Sequence, residues 1–229
     1  MPAWTCGRIF EMRPEAGRLQ SAALRKRLLR NAVYIVGALP ALWTYHLAIS
    51  DQLGADPVKV LERTLGLWAL RFLLIGLAIR PLQVHLGVNL MSYRRAVGLL
   101  AFGYAVLHVI VYIWLDQGLD VAAIVRDMLR RPYITIGMAA LLILVPLAVT
   151  SCSLMIRRLG GKAWAALHRW VYLAAALGVL HFMLLLKTWA PEPLVYGGLL
   201  AGLLLWRVWD RRAGKARRRA ARSATAQST

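Results

Sequence analysis

Five histidines carry most of the chemistry this sequence offers: His46, His85, His108, His168 and His181. An imidazole can ligate a metal, exchange a proton near neutral pH, or bridge two helices by hydrogen bonds. Which of these applies depends on where each ring sits. The two cysteines, Cys6 and Cys152, lie far apart and form no CxxC pair, so neither a disulfide framework nor a zinc site is supported. There is no Gly-rich nucleotide loop and no alternating strand–helix pattern, so the sequence gives no sign of a domain that would bind NADPH.

The elements that must position the rings are membrane spans. Hydrophobic residues make up 59% of the 229 residues, and the polar ones fall in short clusters between apolar runs. Those runs are long enough to cross a hydrocarbon core of about 30 Å. Six spans are expected, at about 31–50, 64–79, 95–115, 133–150, 163–187 and 194–209. Helices are required, because each backbone polar group must be satisfied within its own span. Pro40 should kink the first span, Pro81 should stop the second, and Pro132 suits the first turn of the fourth. Gly160-Gly161 should break the chain before the fifth. The fold class is thus an all-α polytopic bundle, with a basic segment at 1–30, a transmembrane domain at 31–209 and a basic tail at 210–229.

The net charge of +19, from 29 Lys and Arg against 10 Asp and Glu, raises the question of nucleic acid. The distribution argues against it, because the basic residues sit at the ends of apolar runs, as cytoplasmic loops are marked. Arg25, Lys26, Arg27 and Arg30 precede the first span. Arg80, Arg94 and Arg95 follow the second, and Arg157, Arg158 and Lys162 follow the fourth. The other three loops are mixed in sign, the last of them holding Lys187 and Glu192. Both termini should therefore be cytoplasmic. Trp43, Trp68, Trp114, Trp189, Trp206 and Trp209 lie toward span ends, as in an aromatic belt. The first 30 residues hold seven Arg and Lys and no early apolar segment, so the first span itself should direct insertion. The tail, with Lys215, Arg217, Arg218, Arg219 and Arg222, either meets anionic headgroups or is solvated.

This topology sorts the histidines. His85 falls in a cytoplasmic loop and His46 near the outer end of span one. His108, His168 and His181 lie inside spans three and five, where ionisable groups are costly and mark functional paths. At 1.5 Å per residue, His108 sits about 20 Å and His181 about 27 Å from the cytoplasmic ends of their spans. Both are in the outer half and can clamp one haem iron from its two faces. A bis-His iron has no open coordination position, which suits electron transfer better than oxygen chemistry. His168 lies on the cytoplasmic side, about 20 Å from His181, as a second haem ligand or as a hydrogen bond between helices. Thirteen helical residues leave those two side chains about 140° apart, unless a π-bulge or a kink near Gly178 corrects the angle. No histidine on span three faces His168. Arg94 and Arg95 stand there instead, as propionate partners and not as iron ligands. Arg71, about 10 Å into span two, either snorkels to the outer surface or pairs with a propionate.

With these residues in place, the chain resembles the MsrQ family, in the wider ferric-reductase-like transmembrane group. The resemblance rests on GADPVK at 54–59, RPYITIG at 131–137, LHRWVYL at 167–173 and PEPLVYGG at 191–198, with Leu107-His108 and Leu180-His181. It covers about 37–209. It implies b-type haem, one or two, at His108, His168 and His181, and an associated FMN for which the sequence has no motif. It also implies a place in the bacterial inner membrane. Electrons would arrive from the quinone pool or a flavin reductase. They would leave to a periplasmic molybdenum-cofactor subunit that reduces methionine sulfoxide in proteins, making this chain an electron-transfer subunit and not the catalytic one.

Two other readings stay open on the residues alone: a cytochrome b subunit of another oxidoreductase or metal reductase, and a transporter whose histidines line a proton or metal path. A reporter fused after Thr229 is expected to behave as cytoplasmic. Periplasmic activity of that fusion would reverse the orientation and exchange the inner and outer sites.

Overall fold

The computed structural model describes residues 13–185 and 191–227. Cys6, Lys187 and Trp189 lie outside the described residues, as do the side chains of Lys26, Arg217, Arg218, Arg219 and Arg222. Eight α-helices run through the described part: α1 (Arg13–Ile49), α2 (Pro57–Leu86), α3 (Arg94–Val111), α4 (Val121–Arg130), α5 (Pro132–Val149), α6 (Ser153–Leu167), α7 (Val171–Leu185) and α8 (Pro191–Gln227). No strand occurs among the described residues. The protein is an all-α polytopic membrane bundle.

Five segments have the length and apolarity to cross a bilayer: Arg27–Ile49, Pro57–Leu86, Met91–Asp116, Pro132–Val149 and Ser153–Leu185. They overlap the first five expected spans. The sixth, 194–209, is the first part of α8, whose apolar stretch is interrupted by Arg207. The boundaries at 30/31 and 209/210 fall inside continuous helices, because α1 starts at Arg13 and α8 runs on to Gln227.

Local signals explain where the helices start and stop. Asp56 accepts from the Lys59 backbone N–H at 3.2 Å and Pro57 occupies the first turn, so α2 begins seven residues before the expected Thr64. It also continues through Pro81, ending where Gly87 turns left-handed at φ 67° and donates to the Gln83 carbonyl. The region expected as a loop after span three contains α4, capped by Asp120, whose carboxylate accepts from Ala122 and Ala123. The Gly160 break is present, at φ 75° and ψ 152°. No break occurs near Gly178. The irregularity in the fifth span is instead a 3₁₀ turn at His168–Trp170. Three residues at 3.0 per turn add about 60° of rotation, which narrows the angle between His168 and His181 from about 140° to about 80°.

The core sits where α2, α3, α5 and α7 meet. Ala96, Ala101, Ala174 and Ala175 are wholly buried, and small residues let helix backbones approach closely. α1 is held by a different device. Tyr104 of α3 accepts from the Ala41 N–H at 2.9 Å and donates to the Gly37 carbonyl at 2.7 Å. Its hydroxyl is thus inserted into the helical ladder of α1 beside Pro40, a site of helix kinking. Thr44 also bonds the Pro40 carbonyl, at 2.7 Å. Tyr104→Phe leaves two backbone groups of α1 to find new partners. It is expected to cost about 1–3 kcal/mol, read as a lowered thermal unfolding midpoint in detergent.

Candidate functional site

Two helical hairpins face each other across a cavity of about 410 Å³. α2 and α3 form one, α5 and α7 the other. His108 and His181 face each other from α3 and α7, with ring centroids 6.2 Å apart and planes at 78°. Both rings line the cavity and both are partly buried.

Each ring is held in the same way. His108 Nδ1 lies 2.8 Å from the Glu62 carbonyl of α2, and His181 Nδ1 lies 2.6 Å from the Tyr133 carbonyl of α5. A carbonyl only accepts, so Nδ1 carries the proton and Nε2 is left as the bare nitrogen that can ligate a metal. The carbonyl is reachable because of the residue four positions later. On a helix that residue stands over the carbonyl, and in both hairpins it is a glycine: Gly66 after Glu62, and Gly137 after Tyr133. A Cβ on Gly66 would come within 3.1 Å of His108 Nδ1, and one on Gly137 within 2.8 Å of His181 Nδ1. The same carbonyl–glycine–imidazole unit thus occurs twice.

The donor set decides what fits. Among the described residues no group of three or more His, Cys, Asp and Glu side chains is placed to hold a metal ion. Two facing imidazoles without a third donor match an iron whose other ligands come from a porphyrin. Two metal–nitrogen bonds of about 2 Å, plus about 1 Å from each nitrogen to its ring centre, place such centroids about 6 Å apart. The lining is also amphiphilic in the right sense. Leu67, Leu70, Leu73, Leu141 and Leu144 surround the middle, while Lys59, Glu62, Arg63, Asp116 and Arg131 gather at one end. An apolar macrocycle with carboxylates along one edge suits that division.

The charged end was not singled out from the sequence, although Lys59 and Arg131 stand in two of the motifs quoted above. Each cation there has a carboxylate partner: Lys59 with Asp116 at 3.5 Å, Arg63 with Glu192 at 3.0 Å and Arg131 with Asp127 at 3.4 Å. Arg71 is placed elsewhere. It does not line the cavity; its Nε donates to the Tyr196 hydroxyl of α8 at 2.8 Å and its guanidinium lies 4.9 Å from the Trp68 ring. Arg71 is thus held by a phenol and an indole face.

His168 belongs to the other end of the bundle. Its Nδ1 faces the Trp164 carbonyl at 3.1 Å and its ring stacks on Trp164 at 3.9 Å. Its Nε2 is buried and has no hydrogen-bond partner. Arg94, half-buried, is within electrostatic range of it. Arg95 is exposed. No second histidine faces that ring, and the Leu147 backbone also bears on it. His46 and His85 are occupied by aromatic contacts, His46 with Trp43 at 5.8 Å and His85 as acceptor from Trp206 Nε1 at 2.8 Å.

The twin glycines give a test of the cradle. Gly137→Ala is expected to destabilise by about 1–3 kcal/mol through overpacking against His181. Gly98→Ala, a helical site with nothing within 4 Å of the added atom, should be neutral or stabilising by about 0.5–1 kcal/mol. Thermal unfolding of the two variants compares them directly, and equal midpoints would show that Gly137 has no role in seating the ring.

Comparison with known proteins agrees with this architecture. Residues 52–179 match the family described as ferric reductase like transmembrane component. A Brucella anthropi protein named protein-methionine-sulfoxide reductase heme-binding subunit MsrQ is 53% identical over 176 residues, covering 77% of this chain and 80% of that protein. A Brucella ovis protein of the same name is 51% identical over the same shares. The family match takes in α2, α3, α5 and the first part of α7, ending two residues before His181, and the chain belongs to the MsrQ family of ferric-reductase-like membrane proteins.

Proposed function

We propose that this protein binds b-type haem between His108 and His181 and carries electrons across the bacterial inner membrane to a methionine sulfoxide reductase. The observation that carries the reading is the pair of tethered imidazoles 6.2 Å apart across an apolar cavity. The names of the relatives support the haem and the sulfoxide chemistry. When bound, such a haem supplies one-electron transfer between ferric and ferrous iron. His108 and His181 would hold the iron through their Nε2 atoms, and the carbonyls of Glu62 and Tyr133 keep both rings from turning. Arg63, Arg131 and Lys59 are the residues that would meet its propionates, replacing in part their present carboxylate partners.

Reduction of a sulfoxide to a thioether and water takes two electrons and two protons, so a one-electron carrier must turn over twice for each repair. We assign the acceptor to a periplasmic molybdenum-cofactor subunit, and the donor to quinol or a cytoplasmic flavin reductase. Six spans with both termini cytoplasmic put the His108–His181 pair on the periplasmic side. The outer segments, 54–63 and 116–131, then form the docking face, with their interleaved charges setting the encounter rate.

A core of about 30 Å is too wide for a single cofactor near one face. His168 therefore holds a second cofactor at the inner side, with Arg94 beside it. Its buried imidazole favours haem over the FMN that the family resemblance implies, because an imidazole nitrogen is an iron ligand.

Replacing His108 or His181 by Ala is expected to abolish most of the low-spin haem absorbance of the purified protein. His168→Ala should spare that outer signal and slow its reduction from the cytoplasmic side. A low-spin spectrum unchanged in both the His108 and the His181 variants would overturn the assignment. A colourless protein would point instead to a histidine-lined transport path.

A further inference from the structure

The chain between the third and fourth spans carries an exposed surface that the cavity does not use. One span ends at Asp116 and the next starts at Pro132. Residues 117–120 lead into α4, and Arg131 alone leads out of it, with an extended backbone at φ −121° and ψ 91°. Both ends of α4 are therefore tied to the same face of the bilayer. A helix of ten residues is about 15 Å long, and one tied at both ends to a single level lies along the membrane surface.

At about 100° per residue, α4 divides into three sectors whose centres are roughly 120° apart. Ala123, Ile124, Asp127 and Met128 form the covered sector. It faces the bundle: Asp127 pairs with Arg131 at 3.4 Å and accepts from the Tyr112 hydroxyl at 3.5 Å, and the Met128 carbonyl accepts from Thr135 Oγ1 at 2.9 Å. Val121, Val125 and Leu129 stand within about 80° of one another on the second sector. They are 71%, 47% and 82% exposed. Arg126 and Arg130 occupy the third sector, both exposed and neither in an ion pair among the described residues. The one acid of α4 is turned inward, so the outward surface is an apolar stripe edged by two cations. Leu119, just before the helix, is also exposed and holds φ 64°, a left-handed conformation that favours glycine. A contiguous bare stripe of this kind marks an interaction surface.

We propose that α4 is an interfacial helix, with its Val121–Val125–Leu129 stripe among the acyl chains of the leaflet at that face and with Arg126 and Arg130 on the headgroup phosphates. The three sectors match the three phases that meet there: protein, hydrocarbon and hydrated headgroups. Lipid is the occupant because the stripe is continuous with two membrane spans, four residues from one and one residue from the other. Guanidinium groups without carboxylate partners complement phosphate. This inference rests on the span boundaries and holds whatever cofactor fills the cavity. Of the outer segment 116–131, lipid takes the stripe, while Asp116 and Arg131 stay with the charged end of the cavity and remain open to a docking partner.

The test uses the full chain without substitution, reconstituted in vesicles of phosphatidylcholine and phosphatidylglycerol. A diazirine carried on a lipid acyl chain is photolysed, and its adducts are located by mass spectrometry. Val121, Val125 and Leu129 should be tagged, as should Leu142, an exposed residue inside span four that serves as the lipid-facing reference. A water-soluble diazirine should spare the stripe. In V125D/L129D the acyl-borne tag should be lost across α4 and kept at Leu142. If that variant does not fold, as judged by circular dichroism, the wild-type pattern decides. In R126E/R130E the tag on the stripe should fall, because phosphate repels carboxylate; an unchanged tag would overturn the part given to the arginines. Tagging of the stripe by the water-soluble probe alone would overturn the proposal and leave a patch for a partner protein. Protection from both probes would overturn it in favour of a contact between copies of the chain.

Discussion

The structure turns on two hydrogen bonds from imidazole N–H groups to helix carbonyls. A carbonyl inside a helix is already an acceptor in the helical ladder, and the side chain one turn on normally covers it. Gly66 and Gly137 remove that cover. The ring then approaches the backbone itself, at 2.8 Å in one hairpin and 2.6 Å in the other. A backbone atom is a stiffer support than a side chain, because it moves only if its helix moves. The orientation of each imidazole is therefore set by how closely α2 lies against α3, and α5 against α7. The wholly buried alanines of the core have the same consequence, since they allow that close approach.

Around this pair the rest of the bundle divides the labour. α1 contributes nothing to the cavity lining and is attached through a hydroxyl inserted beside its proline. α8 closes the other side by polar links, Tyr196 to Arg71, Glu192 to Arg63 and Asp210 to Arg80. Arg71 is accommodated among apolar helices by a phenol and an indole face, so its charge is spread over two partners.

Hydropathy was enough to read five of the spans from the sequence, because the bilayer imposes length and backbone satisfaction on every crossing segment, whereas Pro81, expected to stop the second, lies inside α2. The facing of His108 and His181 was also legible, since depth along two parallel helices follows from a fixed rise per residue. The glycines opposite them were not. A helical glycine in sequence is one of many, and its meaning depends on which side chain of another helix lies over it. The 3₁₀ turn at His168 was equally invisible, as a change of twist without a proline or glycine at the spot leaves no composition signal. α4 was read as loop because its ten residues are too short and too polar to register as a span. Its Asp120 cap was the available clue.

Of the three ion pairs at the charged end of the cavity, two join separate elements and the third is local to the end of α4. Lys59 reaches Asp116 at the end of the third span, Arg63 reaches Glu192 at the start of α8, and Arg131 reaches Asp127 on α4. An anionic edge entering the cavity competes for those same three cations. Each cation it captured would loosen a carboxylate at that end: Glu192, 40% exposed, and the mostly covered Asp116 and Asp127. On the proposed haem reading, loading would thus alter the charge pattern at that end, and an unfilled subunit would show a visiting protein a different face from a filled one. The bundle would then carry its own readiness signal.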